Sequence, residues 1–243
     1  MALESRPRLL PEDAAGAGVA PSAANTCAAV ITGATSGIGL KITEHLAAAG
    51  HHVYAGARKD ADMERLNAMD NVTAVRLDVT KQDQVDAAVA LIEKNGGGLW
   101  GLVNNAGVGG GGAVLDTPIE NQRFVYDVNV EGVYRTTKAF APLIMESKGR
   151  IVTTGSIAGT ISWAGGSAYA GSKHWIEAFT DSFATEMEPS GVTVSVIEPG
   201  NYKSNIRRSS VSRAIERANA AGEQVTEEMK AAYEATAERE LSY

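Results

Sequence analysis

A chain of 243 residues, 44% hydrophobic and 21% charged, has enough apolar material for one large core and reads as a soluble globular protein. A net charge of -7 argues against a nucleic-acid partner, because there is no basic surplus to displace counterions. The single cysteine, Cys27, excludes an intramolecular disulfide and suits a reducing, cytoplasmic location; no apolar run approaches the ~20 residues that a membrane span needs.

Residues 1–25 are rich in Ala, Pro and Gly without a sustained period, and are expected to be a flexible tail. From Cys27 onward, strand-like and helix-like stretches alternate. Ala28–Ile31 reads as a strand, Ile38–Ala49 as a helix, His52–Ala57 as a strand and Asp62–Met69 as a short helix. Val72–Leu77 is a third strand, Gln84–Glu93 a helix and Leu99–Val103 a fourth strand. Helices are expected at about Asn121–Val130 and Val133–Met145, then a strand at Arg150–Thr154, a long helix at Ala168–Met187 and a sixth strand at Val192–Ile197. Two helix-like stretches, Ser212–Ala220 and Thr226–Leu241, follow, and no seventh strand is visible. The alternation predicts an α/β fold, a doubly wound parallel sheet with helices on both faces. Residues 26–205 would form the dinucleotide-binding domain and 206–243 a helical segment covering the substrate.

Between the first strand and helix lies Thr32-Gly33-Ala34-Thr35-Ser36-Gly37-Ile38-Gly39. Gly33 permits a tight turn, Gly37 lets the backbone approach a ligand, and Gly39 lets helix and strand pack closely. The helix start offers N–H groups and the positive end of its dipole to an anion such as a pyrophosphate. Asn104-Asn105-Ala106-Gly107, Ser156 and Pro199-Gly200 also lie just past strand ends, where ligands of such sheets sit. Arg58 closes the second strand, where dinucleotide folds often carry an acid; a guanidinium there suits a 2′-phosphate and points to NADP over NAD. Asp78 ends the third strand, either to accept from an adenine amine or to cap the following helix.

Tyr169 and Lys173 are spaced i, i+4 and share a helix face; an ammonium near a phenol favours the phenolate and makes it a usable acid/base. Ser156 could donate to the same substrate oxygen, and Asn129 places an amide among apolar neighbours, where it needs partners from a kink or a bound water. These separated motifs, in this order, resemble the short-chain dehydrogenase/reductase family in its single-domain branch, from about Ala28 to Ser204.

The resemblance implies a tetrad. Tyr169 would exchange a proton with the substrate oxygen and Ser156 would hold that oxygen. Lys173 would bind the nicotinamide ribose, and Asn129 would hold a water relaying protons to Lys173. The cofactor site would comprise Gly33, Thr35, Ser36, Gly37, Ile38, Gly39, Arg58, Asp78 and Val79. Asn105, Ala106, Gly107, Tyr169, Lys173, Pro199, Gly200 and Ser204 would complete it. The reaction implied interconverts a ketone or aldehyde and an alcohol. Assembly as a homodimer or homotetramer through helices at about 121–145 and 168–187 is expected.

Ile161, Trp163 and Ile206 would make the substrate pocket partly apolar, and Glu198–Ser204 is loosely similar to retinoid- and steroid-type members. Arg207-Arg208 could instead attract a carboxylate. Gly109–Gly112 reads either as a mobile pocket wall or as a plain flexible loop. The histidines show no metal-ligand spacing, so no metal is expected. A catalytically inactive dinucleotide-binding sensor or scaffold is the alternative.

Overall fold

Six strands form one parallel sheet in the order β3-β2-β1-β4-β5-β6. The computed structural model describes residues 27–200 and 206–220, with Tyr202, Thr226, Glu227 and Ala231. The tail expected at 1–25, Ser204 and nearly all of the helix expected at Thr226–Leu241 lie outside those residues. The strands are β1 (Ala28–Ile31), β2 (His52–Ala57), β3 (Val72–Arg76), β4 (Gly101–Asn104), β5 (Arg150–Thr154) and β6 (Thr193–Ile197). Between them run α1 (Gly37–Ala48), α2 (Asp60–Asn67), α3 (Gln82–Asn95), α4 (Ile119–Tyr126), α5 (Gly132–Ser147) and α6 (Ser167–Met187), with α7 (Ile206–Ala220) after β6.

β1 is apolar throughout because both of its faces are covered. Val30 joins the core that Val85 and Ile92 of α3 and Phe140 and Ile144 of α5 build on one face. Ile31 joins the opposite core, with Ala47 of α1, Leu66 of α2 and Val53 of β2. β6 is half-exposed along its length and pairs only with β5 among the described residues. No helix among the described residues is long and apolar enough to cross a membrane.

Two boundaries differ in ways that bear on the site. The two helices expected at 121–130 and 133–145 are one run, α4 to α5, joined by a wide π-type turn at Asp127–Glu131. That turn carries Asn129, and such bulges recur at functional sites. α7 begins at Ile206, six residues before the expected Ser212, because its first turn packs against the loop after β4 instead of following an apolar period of its own.

The sheet order places β2 and β3 to one side of β1 and β4 to β6 to the other. The chain therefore leaves β1 and β4 in opposite directions, and the crevice between their carboxyl ends is the place such sheets reserve for a ligand.

Candidate active site

The ends of β1, β4 and β5 are tied into one knot. Thr32 Oγ1 accepts from the backbone N–H groups of Asn105 and Ala106, both at 2.9 Å. Asn105 Nδ2 donates to the carbonyls of Thr32 (3.1 Å) and Gly33 (3.2 Å), and its Oδ1 accepts from Thr154 Oγ1 at 3.4 Å. Gly33 has φ +65°, and a Cβ there would lie 2.9 Å from Ala106 Cα, so conformation and crowding both demand glycine. A Cβ on Gly39 would collide with Asn105 Nδ2 and the Gly33 carbonyl. Gly39 thus stands behind the turn as a packing residue and not on the ligand-facing surface.

A cleft of about 810 Å³ opens over this knot. Gly33, Thr35, Ser36, Gly37 and Ile38 line one end of its wall, with Arg58, Asp78 and Val79 beside them. Asn105, Ala106 and Gly107 form the floor, and Ser156, Tyr169, Lys173, Pro199 and Gly200 close the wall. Of the expected catalytic and cofactor residues only Gly39 and Asn129 lie off the wall, and Ser204 is outside the described residues. The Ser36 side chain caps nothing, so the first-turn N–H groups of α1, which have no intrahelical partner, are left for a ligand.

Arg58 is exposed on the cleft wall, with Nη1 3.8 Å from Asp78 Oδ2. Asp78 is not the N-cap of α3, whose cap residue is Lys81. Its Oδ1 instead accepts from Thr80 N (3.0 Å) and Thr80 Oγ1 (2.8 Å), closing a local turn. Arg65, on α2, donates to the Thr35 carbonyl at 2.7 Å and buttresses the glycine turn from outside.

Lys173 is almost wholly buried, with Nζ 5.8 Å from the Tyr169 ring centroid and donating to the Thr154 carbonyl at 2.7 Å. Burial lowers its pKa from 10.5 to about 8, against the pull of the Glu177 charge. Glu177 is shifted the other way. Burial raises its pKa first, then the charges of Glu198 and Asp181 and a hydrogen bond with Glu198, and Lys173 opposes them. Tyr169, Lys173 and Glu177 sit at i, i+4 and i+8 of α6; the same helical spacing that marks the first two marks the third, which the sequence reading passed over.

Ser156 is buried, and its Oγ accepts from Ala158 N at 3.1 Å, which leaves its own proton for the cleft. Ile157 N donates to the Pro199 carbonyl (3.2 Å), which joins the Ser156 turn to the Pro199-Gly200 wall. The Asn129 amide, on the π-type turn, finds its partners. Its Nδ2 donates to Val108 O and to Ser172 Oγ, each at 3.0 Å, and its Oδ1 accepts from Val108 N at 2.8 Å. Both amide protons are used, so a water at this side chain would meet only the remaining Oδ1 lone pair. The amide's evident work is to pin the loop after β4 to α6.

At the other end of the cleft stand Ile157, Trp163, Tyr202, Ile206, Ser209, Ser210 and Arg213. Ile161, expected on this wall, is exposed away from it. Ser209, Ser210 and Arg213 fall in the segment expected to cover the substrate, and with Ile206 they repeat at i, i+3, i+4 and i+7, a single helical face. Arg213 Nη2 donates to the Gly109 carbonyl at 2.8 Å, and its guanidinium lies 5.2 Å from the Phe124 ring centroid.

Residues 27–235 match the family model of short chain dehydrogenases. The chain belongs to the short-chain dehydrogenase/reductase family. D-beta-hydroxybutyrate dehydrogenase of Bos taurus, a mitochondrial protein, is 39% identical over 83% of this chain and 61% of its own length. Human retinol dehydrogenase 16 is 39% identical over 72% of this chain and 57% of its own length. Among solved structures, a short-chain dehydrogenase/reductase from Burkholderia phymatum in complex with NAD is 29% identical at a TM-score of 0.77 and covers 88% of this chain and 79% of its own. An alcohol dehydrogenase from Thermococcus sibiricus complexed with 5-hydroxy-NADP is 28% identical at a TM-score of 0.69, over 74% of this chain and 78% of its own. The chain spans between 55% and 61% of the length of the first curated relatives that it matches. Short-chain dehydrogenase/reductase membership accounts for the six-stranded Rossmann-like parallel sheet.

Proposed function

We propose that this chain is an NADP(H)-dependent oxidoreductase that interconverts a ketone or aldehyde and an alcohol on a lipophilic substrate. The observation that carries the reading is the juxtaposition, in one cleft, of a bare helix start over the glycine turn and a phenol backed by a buried ammonium. The residues present fit a dinucleotide. Ser36, Gly37 and Ile38 would receive the pyrophosphate, Asp78 and Val79 the adenine, and Asn105 to Gly107 with Pro199 and Gly200 the nicotinamide half. When bound, the nicotinamide would supply or accept the hydride.

In the reductive direction Tyr169 gives its phenolic proton to the substrate oxygen as that oxygen gains charge. Ser156 donates a second hydrogen bond to the same oxygen and fixes the distance. Lys173, charged at neutral pH, stabilises the resulting phenolate. The Thr154 carbonyl holds the ammonium in place. Asn129 acts through others: it holds Val108 and Ser172, and so keeps the floor of the cleft against α6.

Arg58 supports NADP over NAD, because its guanidinium is exposed on the wall and β2 ends without an acid. Asp78 at 3.8 Å offsets part of that charge. Titration of NADP and NAD against Arg58→Ala decides it. NADP affinity falls about tenfold or more while NAD changes little; equal loss for both contradicts the preference.

The same reading includes a second copy of the chain against α5 and α6. Trp175, Phe179 and Phe183 stack at 4.8 and 5.5 Å between ring centroids and meet Tyr134 at 6.0 Å, a half-exposed aromatic stripe. Light scattering of Phe179→Glu against the parent chain tests it, a fall in mass supporting the assembly. The whole reading is tested by NADPH consumption against a panel of hydrophobic ketones and aldehydes. Cofactor binding without turnover on any of them would favour a sensor.

A further inference from the structure

Two segments of the cleft take no part in the proton transfer: the glycine run Gly109–Gly112 and the turn Trp163–Gly166. They are locked to each other. Gly112 N donates to the Gly165 carbonyl at 2.8 Å, and a Cβ on Gly111 would lie 2.5 Å from that same oxygen. Gly109, Gly110 and Gly111 line the cleft with bare backbone. A Cβ on Gly109 would collide with Ser210 Oγ, and one on Gly110 with Val125 Cγ2. This stretch of wall therefore carries no side chain and has no room for one.

The indole of Trp163 completes the surface. Gly166 N donates to the Trp163 carbonyl at 3.0 Å, and a Cβ on Gly166 would lie 2.7 Å from indole Cε2, so the ring rests directly on the Gly166 backbone. Its centroid is 6.5 Å from that of the Tyr169 ring, the planes inclined by 48°. Supported in this way beside the reacting phenol, the indole is still 54% exposed on the cleft wall. A rigid aromatic surface of that size, open to a site, is covered best by another flat apolar group.

We propose that Trp163 is a substrate-recognition residue: its indole takes a planar aryl or conjugated group attached to the reacting carbonyl carbon, against the bare backbone of Gly109–Gly111. The substrate class is then an aryl or conjugated ketone, or the corresponding secondary alcohol. This rests on Tyr169 being the proton donor described above. Arg213, on the same wall, makes a carboxylated substrate the competing outcome.

The experiment compares kcat/KM for propiophenone, 2-pentanone and acetoacetate in the parent chain, Trp163→Ala, Trp163→Phe and Gly166→Ala. The parent chain prefers propiophenone. The propiophenone-to-pentanone ratio falls about tenfold or more in Trp163→Ala, through KM more than kcat, and largely returns in Trp163→Phe. Gly166→Ala keeps the indole but displaces it, and lowers the ratio in the same direction. NADPH-free titration with 1-phenylpropanol adds a readout without turnover: saturable quenching of tryptophan emission in the parent chain, absent in Trp163→Phe. An unchanged ratio in both Trp163→Ala and Gly166→Ala, or a preference for acetoacetate, overturns the proposal. Absence of turnover in every variant defeats the enzyme reading instead, and the quenching titration then still decides whether Trp163 meets a flat ligand.

Discussion

Lys173 shows what the chemistry costs the fold. A lysine with its pKa brought down to about 8 by burial carries a penalty of about 3 kcal/mol in its charged form. The folded chain binds fewer protons at this position than the unfolded chain between pH 8 and 10.5, so the penalty is full below pH 8 and fades as the pH rises through that window. Lys173→Met is therefore expected to abolish turnover and yet raise the melting temperature at pH 7 by a few degrees, the gain shrinking toward pH 10. The lost hydrogen bond to Thr154, about 1 kcal/mol, trims the gain. In the active chain, ketone reduction is expected to decline as the pH passes about 8, when the phenolate loses its cation. The Tyr169–Lys173 pair was legible because a helix brings i and i+4 together whatever surrounds it. The depth of Lys173 was not, because its carbonyl partner comes from β5 and its burial from the layers around α6.

At the scale of elements, the π-type turn at Asp127–Glu131 and the glycine run make separable predictions. Asn129→Ala removes three hydrogen bonds and leaves both backbone groups of Val108 unpaired. Urea denaturation should show a loss of about 2–3 kcal/mol, together with reduced turnover. The amide's need for partners was legible from its apolar neighbours, but the partners were not, since Val108 and Ser172 are distant in sequence. The glycine run was expected as a mobile or plain flexible loop. It is packed on both sides instead, and glycine composition could not reveal this because crowding comes from Ser210, Val125, Gly165 and Thr117. Gly110→Ala discriminates by sign. A mobile loop would gain about 0.4–1 kcal/mol from reduced unfolded-state entropy, whereas the contact with Val125 predicts a loss of about 1 kcal/mol or more.

For the whole molecule, alternating strands and helices were enough to predict a doubly wound parallel sheet, whereas the strand order, whose reversal between β1 and β4 opens the cleft, was not read from the sequence. The segment 206–243 was expected to cover the substrate and Ile206 to line its pocket; Ser209, Ser210 and Arg213, on the same side of α7, were not singled out, because a polar face resembles a solvated one until the cleft is set against it. Arg58 stood out as a basic residue where an acid is common, while its pairing with Asp78 depended on the register of β2 against β3, where Ala57 lies opposite Arg76. The architecture brings one phenol, one hydroxyl and one buried cation to the wall of the same cleft as the glycine turn, and the proposed function rests on this convergence. Its most direct test is Tyr169→Phe assayed for NADPH consumption on a ketone that the parent chain reduces, with NADPH affinity measured alongside. The expected result is a fall in kcat of about a hundredfold or more with the cofactor still bound at its usual affinity. Turnover that survives the substitution would show that the proton comes from elsewhere.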